Sequence, residues 1–430
     1  MFQKIIKSKL ESQVKKYFQK HTEVKLVVVV GAVGKTTTKN AIASVLNKKF
    51  RVRMKNNNHN TQLSVPPALL GVEFPEGHVH SPIAWLNVFR AMNKRIKEET
   101  DVDVIVQELG TDHPGEIPHF GKYLNPTIAV VTSVAPEHME HFKTLDAVAK
   151  EELSVTAYSK ETLINRDDID EKYARYILSD KINTYGIHQP AEYFFQEKGK
   201  QDILKGFSGE LISPELGNVP TLVSLLGQHS LKAAIVAGAV GAKLGMSASQ
   251  ISDGMDEIHA VSGRMNVLRG RASTTIIDDT YNSTPSSAIA ALKTLYQIKA
   301  PLKFAILGSM NELGDTSKEA HEEVGRYCNP EEIEYLVTVG KEAERYLAPV
   351  AKAKGNRVIS FKSAIGAGAF INKRLQKGAV VLGKGSQNGI FVEEAIKMLL
   401  HSTEDEDQLV RQSQYWLKRK AKLYDSLGEK

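Results

Sequence analysis

The residues with the clearest chemical potential are Gly34-Lys35-Thr36, which follow a run of four valines that ends at Val30. Such a run is typical of a buried parallel strand, and a helical pattern then extends to Leu46. Backbone N–H groups at a helix N-terminus attract anions, the lysine can reach nucleotide phosphates, and the threonine hydroxyl can bind Mg²⁺. The segment predicts a phosphate-binding loop. The alternative is a tight strand–helix turn, because Val29 occupies the place of the usual first glycine.

Two further side chains with metal-binding potential follow apolar segments. Glu108 comes directly after the segment 102–107, and His138 follows the segment 127–132. Because the carboxyl ends of parallel strands meet at one edge of a sheet, we expect both to lie near Thr36. Three such donors could hold the cations that neutralise charge in phosphoryl transfer. The alternatives are a glutamate in an exposed turn and a histidine with a structural role.

Strands and helices alternate along most of the chain. The sequence predicts strands at residues 26–30, 102–107, 127–132, 162–164, 182–185, 274–277, 304–308, 335–339, 357–360 and 379–383. It predicts helices at residues 39–46, 145–158, 230–244, 286–295, 319–327 and 392–400. Residues 190–222 differ and fit a short β excursion. The alternation predicts an α/β fold with largely parallel sheets.

We expect four segments in this fold. Residues 1–24 form an N-terminal amphipathic helix, and residues 25–262 a central P-loop ATPase domain with a mostly parallel sheet. Residues 263–400 form a C-terminal Rossmann-like α/β domain, and residues 401–430 a helical tail.

Composition excludes several classes of protein. The chain has 430 residues, of which 42% are hydrophobic and 25% charged, as in ordinary globular enzymes. A single cysteine excludes an intrachain disulfide framework and fits a reducing compartment. Neither a membrane-spanning run nor a secretory leader is evident, so we expect a cytoplasmic protein. The net charge of +6 comes without a basic patch interleaved with aromatic residues, which argues against a nucleic-acid partner.

The basic N-terminus has the pattern of an amphipathic helix. Its apolar residues recur at helical spacing and its lysines lie mostly between them: Phe2, Ile5, Ile6, Leu10, Val14, Tyr17 and Phe18, with Lys4, Lys7, Lys9, Lys15, Lys16 and Lys20. Two hypotheses follow. The apolar stripe of residues 1–20 packs on the central domain or on a second subunit, or it lies in the interface of an anionic membrane.

Several short motifs in one order resemble the Mur ligases, the ATP-dependent amide-forming enzymes of peptidoglycan synthesis. The resemblance covers roughly residues 25–400 and is strongest to the branch that adds D-alanyl-D-alanine. It rests on Gly31 to Thr37, Glu108-Leu109-Gly110, His113 to Ile117, Thr132 to His138, Gly263-Arg264-Met265, Asp278 to Asn282, Glu312-Leu313-Gly314, His321 and Lys384-Gly385-Ser386.

The resemblance implies ATP and Mg²⁺ as cofactors and an acyl phosphate as the reaction intermediate. It implies metal binding by Thr36, Glu108 and His138, and catalysis by Lys35, Glu108 and His138. It implies nucleotide contacts from Gly31, Gly34, Lys35, Thr36, Thr37, His229, Arg264, Asp279 and Asn282.

Three departures from the family pattern limit this transfer. About 24 residues precede the first strand, too few for the family's domain that holds a UDP-sugar. The lysine that the family carbamylates falls at Glu152. We hypothesise that Glu152 replaces it as a catalytic and metal-binding anion; the alternatives are a carbamylated Lys150 and a solvated helix face. Residues 58–66 resemble the asparagine-rich acceptor loop, with Ser64 where glycine is usual.

The functional prediction is an ATP-dependent carboxylate–amine ligase that adds a D-Ala-D-Ala-like unit to a peptidoglycan precursor. Its partners are small-molecule or peptide substrates. One alternative is a related ligase that acts on another carboxylate, such as an amino-acid polymer or a cofactor precursor. Another is a nucleotide-dependent scaffold without ligase activity.

Overall fold

The computed structural model describes residues 2–55, 59–199, 202–386 and 389–427. The chain divides into two compact units. The first comprises Met1–Lys200, Phe207–Ser224 and Leu231–Ile258, and the second comprises Gln201–Gly206, Leu225–Ser230 and His259–Lys430. Among the described residues, no helix is both long and apolar enough to cross a bilayer.

The first unit is built around one large sheet. Its strands are β1 (Lys25–Val30), β2 (Val52–Arg53), β3 (Val104–Glu108), β4 (Ile128–Val131), β5 (Glu161–Asn165), β6 (Ile182–Gly186), β7 (Tyr193–Glu197), β8 (Phe207–Ser213) and β9 (Gly217–Val223). Its helices are α1 (Phe2–Lys20), α2 (Lys35–Leu46), α3 (Val65–Leu69), α4 (Pro82–Lys97), α5 (Glu116–Phe120), α6 (Met139–Phe142), α7 (Leu145–Leu153), α8 (Gln228–Lys243) and α9 (Ala248–Asp256).

The order of the strands in this sheet is β2-β3-β1-β4-β5-β6-β7-β8-β9. Pairing is parallel from β2 through β7, and β1 lies between β3 and β4. In register, Val29 lies opposite Glu108 and Val30 opposite Val131. The carboxyl ends of these three strands therefore lie side by side, as the sequence predicts.

The β excursion predicted at residues 190–222 corresponds to β7, β8 and β9. Strands β7, β8 and β9 pair antiparallel and extend the sheet at one edge. Along β8 the burial alternates with period two, which is typical of a strand with one face covered.

Helix α1 packs its apolar stripe on the protein. Ile6, Leu10, Val14 and Tyr17 are buried in the core of the first unit, and Gln13 Nε2 donates a hydrogen bond to the carbonyl of Phe89 in α4 (3.1 Å). The first of the two hypotheses, packing on the central domain, therefore holds for the central residues of this stripe. These central residues are covered by protein, and contact of residues 1–20 with a membrane stays a prediction.

The second unit has its own sheet, with the order β10-β11-β15-β12-β13-β14. Its strands are β10 (Asn266–Gly270), β11 (Thr274–Asp279), β12 (Lys303–Gly308), β13 (Tyr335–Val339), β14 (Val358–Phe361) and β15 (Val380–Lys384). Its helices are α10 (Pro285–Gln297), α11 (Ser317–Tyr327), α12 (Ala348–Ala353), α13 (Ala364–Asn372), α14 (Glu393–Leu399) and α15 (Gln414–Ser426).

Only the β10–β11 pair of this second sheet is antiparallel among its described strands. Apolar clusters cover both faces, which explains why its strands read as continuous hydrophobic runs. Asp279 and Lys384 lie opposite one another at the ends of β11 and β15. Two α/β units with mostly parallel sheets confirm the predicted fold class.

Candidate active site

The loop between β1 and α2 lies tightly against the end of β4. Gly31 has a φ of +122°, and a Cβ atom there would lie 2.2 Å from Thr132 Oγ1 and 2.8 Å from the backbone nitrogen of Ser133. Gly34, with a φ of +91°, directly precedes α2. Thr132 Oγ1 donates to the carbonyl of Val33 (2.7 Å). Glycine at position 31 is therefore required by space as well as by backbone conformation.

Lys35 begins α2 and its ammonium turns back over the loop. Nζ donates to the carbonyl of Gly31 (2.5 Å) and to Glu137 Oε1 (3.2 Å). Burial disfavours the charged form, but the carboxylates of Glu137, Glu152 and Glu108 outweigh it and hold the pKa of Lys35 above its usual value. The site therefore keeps a cation at the phosphate-binding loop.

Thr36 and Glu108 contact each other across β1 and β3. Thr36 Oγ1 donates to Glu108 Oε2 (3.0 Å), as the aligned strand ends predict. Asn60 Nδ2 donates to the other oxygen of Glu108 (3.1 Å), and Lys39 Nζ lies 3.9 Å from Oε2. Burial lowers the pKa of Lys39 despite this carboxylate.

Neither Lys39 nor the contact of Asn60 with Glu108 was predicted from the sequence. The signals were the position of Lys39 one turn after Lys35 and the place of Asn60 in the predicted acceptor loop. Asn58 of that loop lies outside the described residues.

Glu152 approaches the same loop from α7. Its side chain is 1% exposed, and its Oε2 accepts the backbone N–H of Gly31 (2.7 Å). Burial raises the pKa of Glu152 to about 8, although the nearby Lys35 ammonium favours the ionised form. Lys150, on the same helix, is exposed to solvent. Of the two candidates from the sequence, the structure brings Glu152 to the loop.

The neighbouring Glu151 is also buried, but its hydrogen bonds are structural. It accepts the backbone N–H groups of Gly115 and Ile117, both at 2.7 Å, and the hydroxyl of Thr111 at 3.2 Å. These bonds hold the segment between β3 and α5 against α7. Two adjacent glutamates thus face different partners.

His138 lies just beyond β4, in left-handed backbone conformation with φ +47°. Its Nε2 is 3.3 Å from Asp112 Oδ1 and 3.7 Å from Glu137 Oε1. Burial raises the pKa of Glu137, against the opposing effect of Lys35 and His138. Glu137 was not predicted as a site residue, although its position between β4 and His138 places it at the same strand end. The structure brings Lys35, Thr36, Glu108, His138 and Glu152 to one edge of the sheet.

The donors at this edge suit Mg²⁺ in the presence of a nucleotide. Within the described ranges, no group of three or more His, Cys, Asp or Glu side chains is arranged to hold a metal ion alone. Mg²⁺ usually binds through one or two protein carboxylates together with phosphate oxygens and water. Thr36 and Glu108, in direct contact, supply a hydroxyl and a carboxylate of this kind.

In the second unit, Asp279 is buried at the end of β11. Its Oδ2 is 3.0 Å from Lys384 Nζ, and its Oδ1 accepts the backbone N–H of Met265 (3.3 Å). Burial lowers the pKa of Lys384, which the carboxylate of Asp279 partly offsets. The Arg264 guanidinium lies 4.3 Å from the centre of the Tyr281 ring. Arg264 and Asp279 therefore belong to one local cluster.

The remaining predicted nucleotide contacts are less concentrated. Asn282 lies in the same cluster, where its carbonyl accepts a hydrogen bond from Lys384 Nζ. Thr37 is half-buried in the first turn of α2, and His229 is exposed in the first turn of α8. Nucleotide binding by Arg264, Asp279, Asn282, Thr37 and His229 stays a prediction.

Two family models match most of the chain. One describes the Mur ligase middle domain and matches residues 29–241; the other describes the Mur ligase glutamate ligase domain and matches residues 263–387. The chain belongs to the Mur ligase family. The family predicted from the motifs is confirmed.

Curated relatives of this Mur ligase include enzymes named for the addition of D-alanyl-D-alanine. UDP-N-acetylmuramoyl-tripeptide–D-alanyl-D-alanine ligase of Bacillus subtilis is 26% identical over 400 residues, which cover 91% of this chain and 79% of the relative. The fold is shared with MurF from Acinetobacter baumannii, at a TM-score of 0.74, 22% identity and coverage of 91% and 80% of the two chains. MurF from Thermotoga maritima, solved in complex with ADP, has a TM-score of 0.71 at 22% identity and covers 95% of this chain, which covers 84% of it.

Proposed function

We propose that this Mur ligase is an ATP-dependent carboxylate–amine ligase. The observation that carries the proposal is the set of ionisable and polar groups around one phosphate-binding loop: the Lys35 ammonium on its carbonyls, the Thr36–Glu108 contact, and Glu152 on the N–H of Gly31. A scaffold would need none of these buried groups. Each costs desolvation energy, and their convergence at one loop favours chemistry.

The reaction would proceed in two steps. A carboxylate oxygen of the acceptor attacks the γ-phosphorus of ATP, the bond to the β–γ bridging oxygen breaks, and ADP leaves. The amine nitrogen then attacks the carbonyl carbon of the acyl phosphate, phosphate departs with the C–O electron pair, and the nitrogen loses a proton. Phosphorylation is needed because an oxide is a poor leaving group.

The residues of the site would act by position and charge. The Lys35 ammonium lies at the loop where phosphate oxygens would bind. When a nucleotide binds, the ammonium would leave Glu137 and contact those oxygens instead. Thr36 and Glu108 would hold Mg²⁺, with His138 near a second metal position. Bound Mg²⁺ neutralises charge on the phosphates. The close approach of Gly31 to Thr132 fixes the loop backbone, so that its N–H groups stay in place when a nucleotide binds.

Glu152 would supply the anion that the family usually obtains from a carbamylated lysine. Carboxylate and carbamate oxygens are both hard donors that suit Mg²⁺. Its burial, its contact with the loop and its charge coupling to Lys35 support this role. A cation at the site would favour the ionised form and lower its raised pKa.

For the substrates, we propose an acceptor of the UDP-N-acetylmuramoyl-tripeptide type and D-alanyl-D-alanine as the amine, as the name of the Bacillus subtilis relative states. The reaction would take place in the cytoplasm, where ATP is available. The alternative acceptors are amino-acid polymers and cofactor precursors.

The test is phosphate release from ATP with paired acceptors and amines. We expect release that needs both substrates, and a product whose mass equals acceptor plus amine minus water. Lys35→Ala serves as the inactive control. Nucleotide binding without substrate-dependent release would favour the scaffold, and release with another acceptor would reassign the carboxylate.

A further inference from the structure

The first two long helices of the first unit run in the same direction. Gln13 in α1 donates to the carbonyl of Phe89 in α4, and Lys20 donates to the carbonyl of Lys97. An advance of about two turns along α1 therefore matches an equal advance along α4. The N-terminal turns of the two helices lie at the same end of the pair.

That end exposes four large apolar side chains. Phe2 and Ile5 of α1 are 41% and 61% exposed, and Ile83 and Leu86 of α4 are 73% and 43% exposed. We call these four residues the apolar tip. Phe2 and Ile5 belong to the predicted stripe of α1 but lie outside its buried part, which faces the core. Exposed hydrophobic side chains at one end of a helix pair are candidates for a binding surface.

The same helix pair concentrates the positive charge of the chain. Helices α1 and α4 together hold ten Lys and Arg residues and a single carboxylate, Glu11. The Oε1 atom of Glu11 lies 2.7 Å from Nε2 of His119. The whole chain has 56 Lys and Arg and 50 Asp and Glu, so removing this pair leaves a slight excess of acid elsewhere. Lys94 and Arg95 of α4 pair with Glu98 (3.6 Å) and Asp101 (3.3 Å), so the excess positive charge of the helix pair lies mainly on α1.

Lys4 and Lys7 of α1 are available to an external anion, whereas Lys9 Nζ lies 4.4 Å from the centre of the Phe89 ring. Among the described residues, no carboxylate lies within ion-pair distance of Lys4, Lys7 or Lys9. Arg90 lies on the exposed side of α4, one turn after Leu86. Cations next to exposed hydrophobic side chains are the combination that an anionic lipid surface attracts.

We propose that the apolar tip and the cations beside it dock this protein on an anionic bilayer surface. Helix α1 stays packed on α4, and only the tip enters the headgroup region. A second copy of the chain is disfavoured as the occupant, because two such surfaces would bring like charges together. The proposal does not depend on the ligase reaction.

The test is co-sedimentation of the full chain with vesicles of phosphatidylcholine alone or with phosphatidylglycerol. We expect binding to the mixed vesicles at low salt, its loss at high salt, and none to neutral vesicles. Charge reversal in Lys4→Glu or Arg90→Glu should weaken binding about fivefold or more for each residue. Ile5→Ser with Ile83→Ser should weaken it further, with an unchanged Tm.

Matched controls use exposed residues elsewhere in the first unit. Leu178→Ser removes a side chain that is 67% exposed, and Lys122→Glu reverses an exposed charge; both should bind as the parent does. No binding at low salt, equal binding to neutral vesicles, or tip variants that bind normally would overturn the proposal. So would a dimer in sedimentation velocity that Ile83→Ser dissociates, since it would assign the tip to a second copy.

Discussion

The backbone N–H of Gly31 donates to Glu152 Oε2 at 2.7 Å, so that a buried carboxylate lies directly against the phosphate-binding loop. Its charge is coupled to the Lys35 ammonium. This contact brings a residue of α7 into the same site as the first residue of α2. The protonation of Glu152 should therefore depend on the charge of whatever binds at the loop.

We expect Glu152→Gln to lower ligase turnover by about 10²-fold. The amide oxygen can still accept the N–H of Gly31, so packing is kept while the anion is lost. Turnover against Mg²⁺ concentration measures the effect. Lys150→Gln, on the exposed side of α7, is the control and should behave as the parent. Full activity of Glu152→Gln, or an added CO₂ mass on Lys150, would contradict the assignment.

The raised pKa of Glu152 predicts a pH-dependent stability without nucleotide. Folded protein holds this proton up to about pH 8, whereas the unfolded carboxyl loses it near pH 4.3. The contribution of Glu152 to the free energy of unfolding should therefore fall as pH rises between these values, by about 1.4 kcal/mol per unit, and level off above. This contribution is the difference in the free energy of denaturant unfolding between the parent and Glu152→Gln, measured at each pH. A difference that does not change with pH would show that the pKa of Glu152 has its usual value.

Lys35→Ala should reduce ATP turnover by about 10²–10³-fold while the fold is retained. The variant removes the ammonium that contacts the loop carbonyls and Glu137. Phosphate release and Tm are the measurements. Lys49→Ala changes an exposed lysine just beyond the other end of α2 and should leave turnover unchanged. Normal turnover in Lys35→Ala would remove this residue from the site.

At Thr36, the hydroxyl rather than the shape of the side chain should matter. Thr36→Ser keeps the group that donates to Glu108 (3.0 Å), whereas the isosteric Thr36→Val removes it. We expect the serine variant to keep most activity, and the valine variant to need much more Mg²⁺ or to be inactive. A magnesium titration of ATP turnover separates them. Equal titrations would argue against a metal at Thr36.

The C-terminal tail should stabilise the second unit through one buried ion pair. Arg411 Nε lies 2.8 Å from Glu393 Oε1, and its Nη atoms donate to the carbonyls of Thr280 and Tyr281. Losing one partner of a buried pair costs about 3–5 kcal/mol. Lys420 also lies 3.0 Å from Glu393, so Arg411→Ala should fall near the lower value.

Denaturant unfolding measures this loss. Lys418→Ala, an exposed lysine of α15, is the control and should change little. Adding Glu393→Gln to Arg411→Ala should recover part of the stability, because it removes a buried charge that is left with one cation, Lys420, instead of two. An unchanged free energy of unfolding in Arg411→Ala would show that the pair is energetically neutral.

Much of the site could be predicted because its signals are local. The valine run, the two loop glycines and Lys35-Thr36 lie within one strand–turn–helix segment. The contact between Thr36 and Glu108 follows from two apolar strands that end on polar residues, since parallel strands align their carboxyl ends. Helix α4 was missed, although Ser81 caps its first turn and Pro82 begins it.

What the sequence by itself determined is the family, the alternation of strands and helices, and the residues at the strand ends. What only the tertiary structure decided is which way the helices face. Glu152 and Lys150 are about 200° apart around α7, and packing against Gly31 selects the first. The apolar stripe of α1 would suit a lipid surface and a protein core equally. In the structure its central residues pack in the core together with residues of α4. Local sequence sets the period of a helix, but the rotation of each face depends on residues far away in the chain.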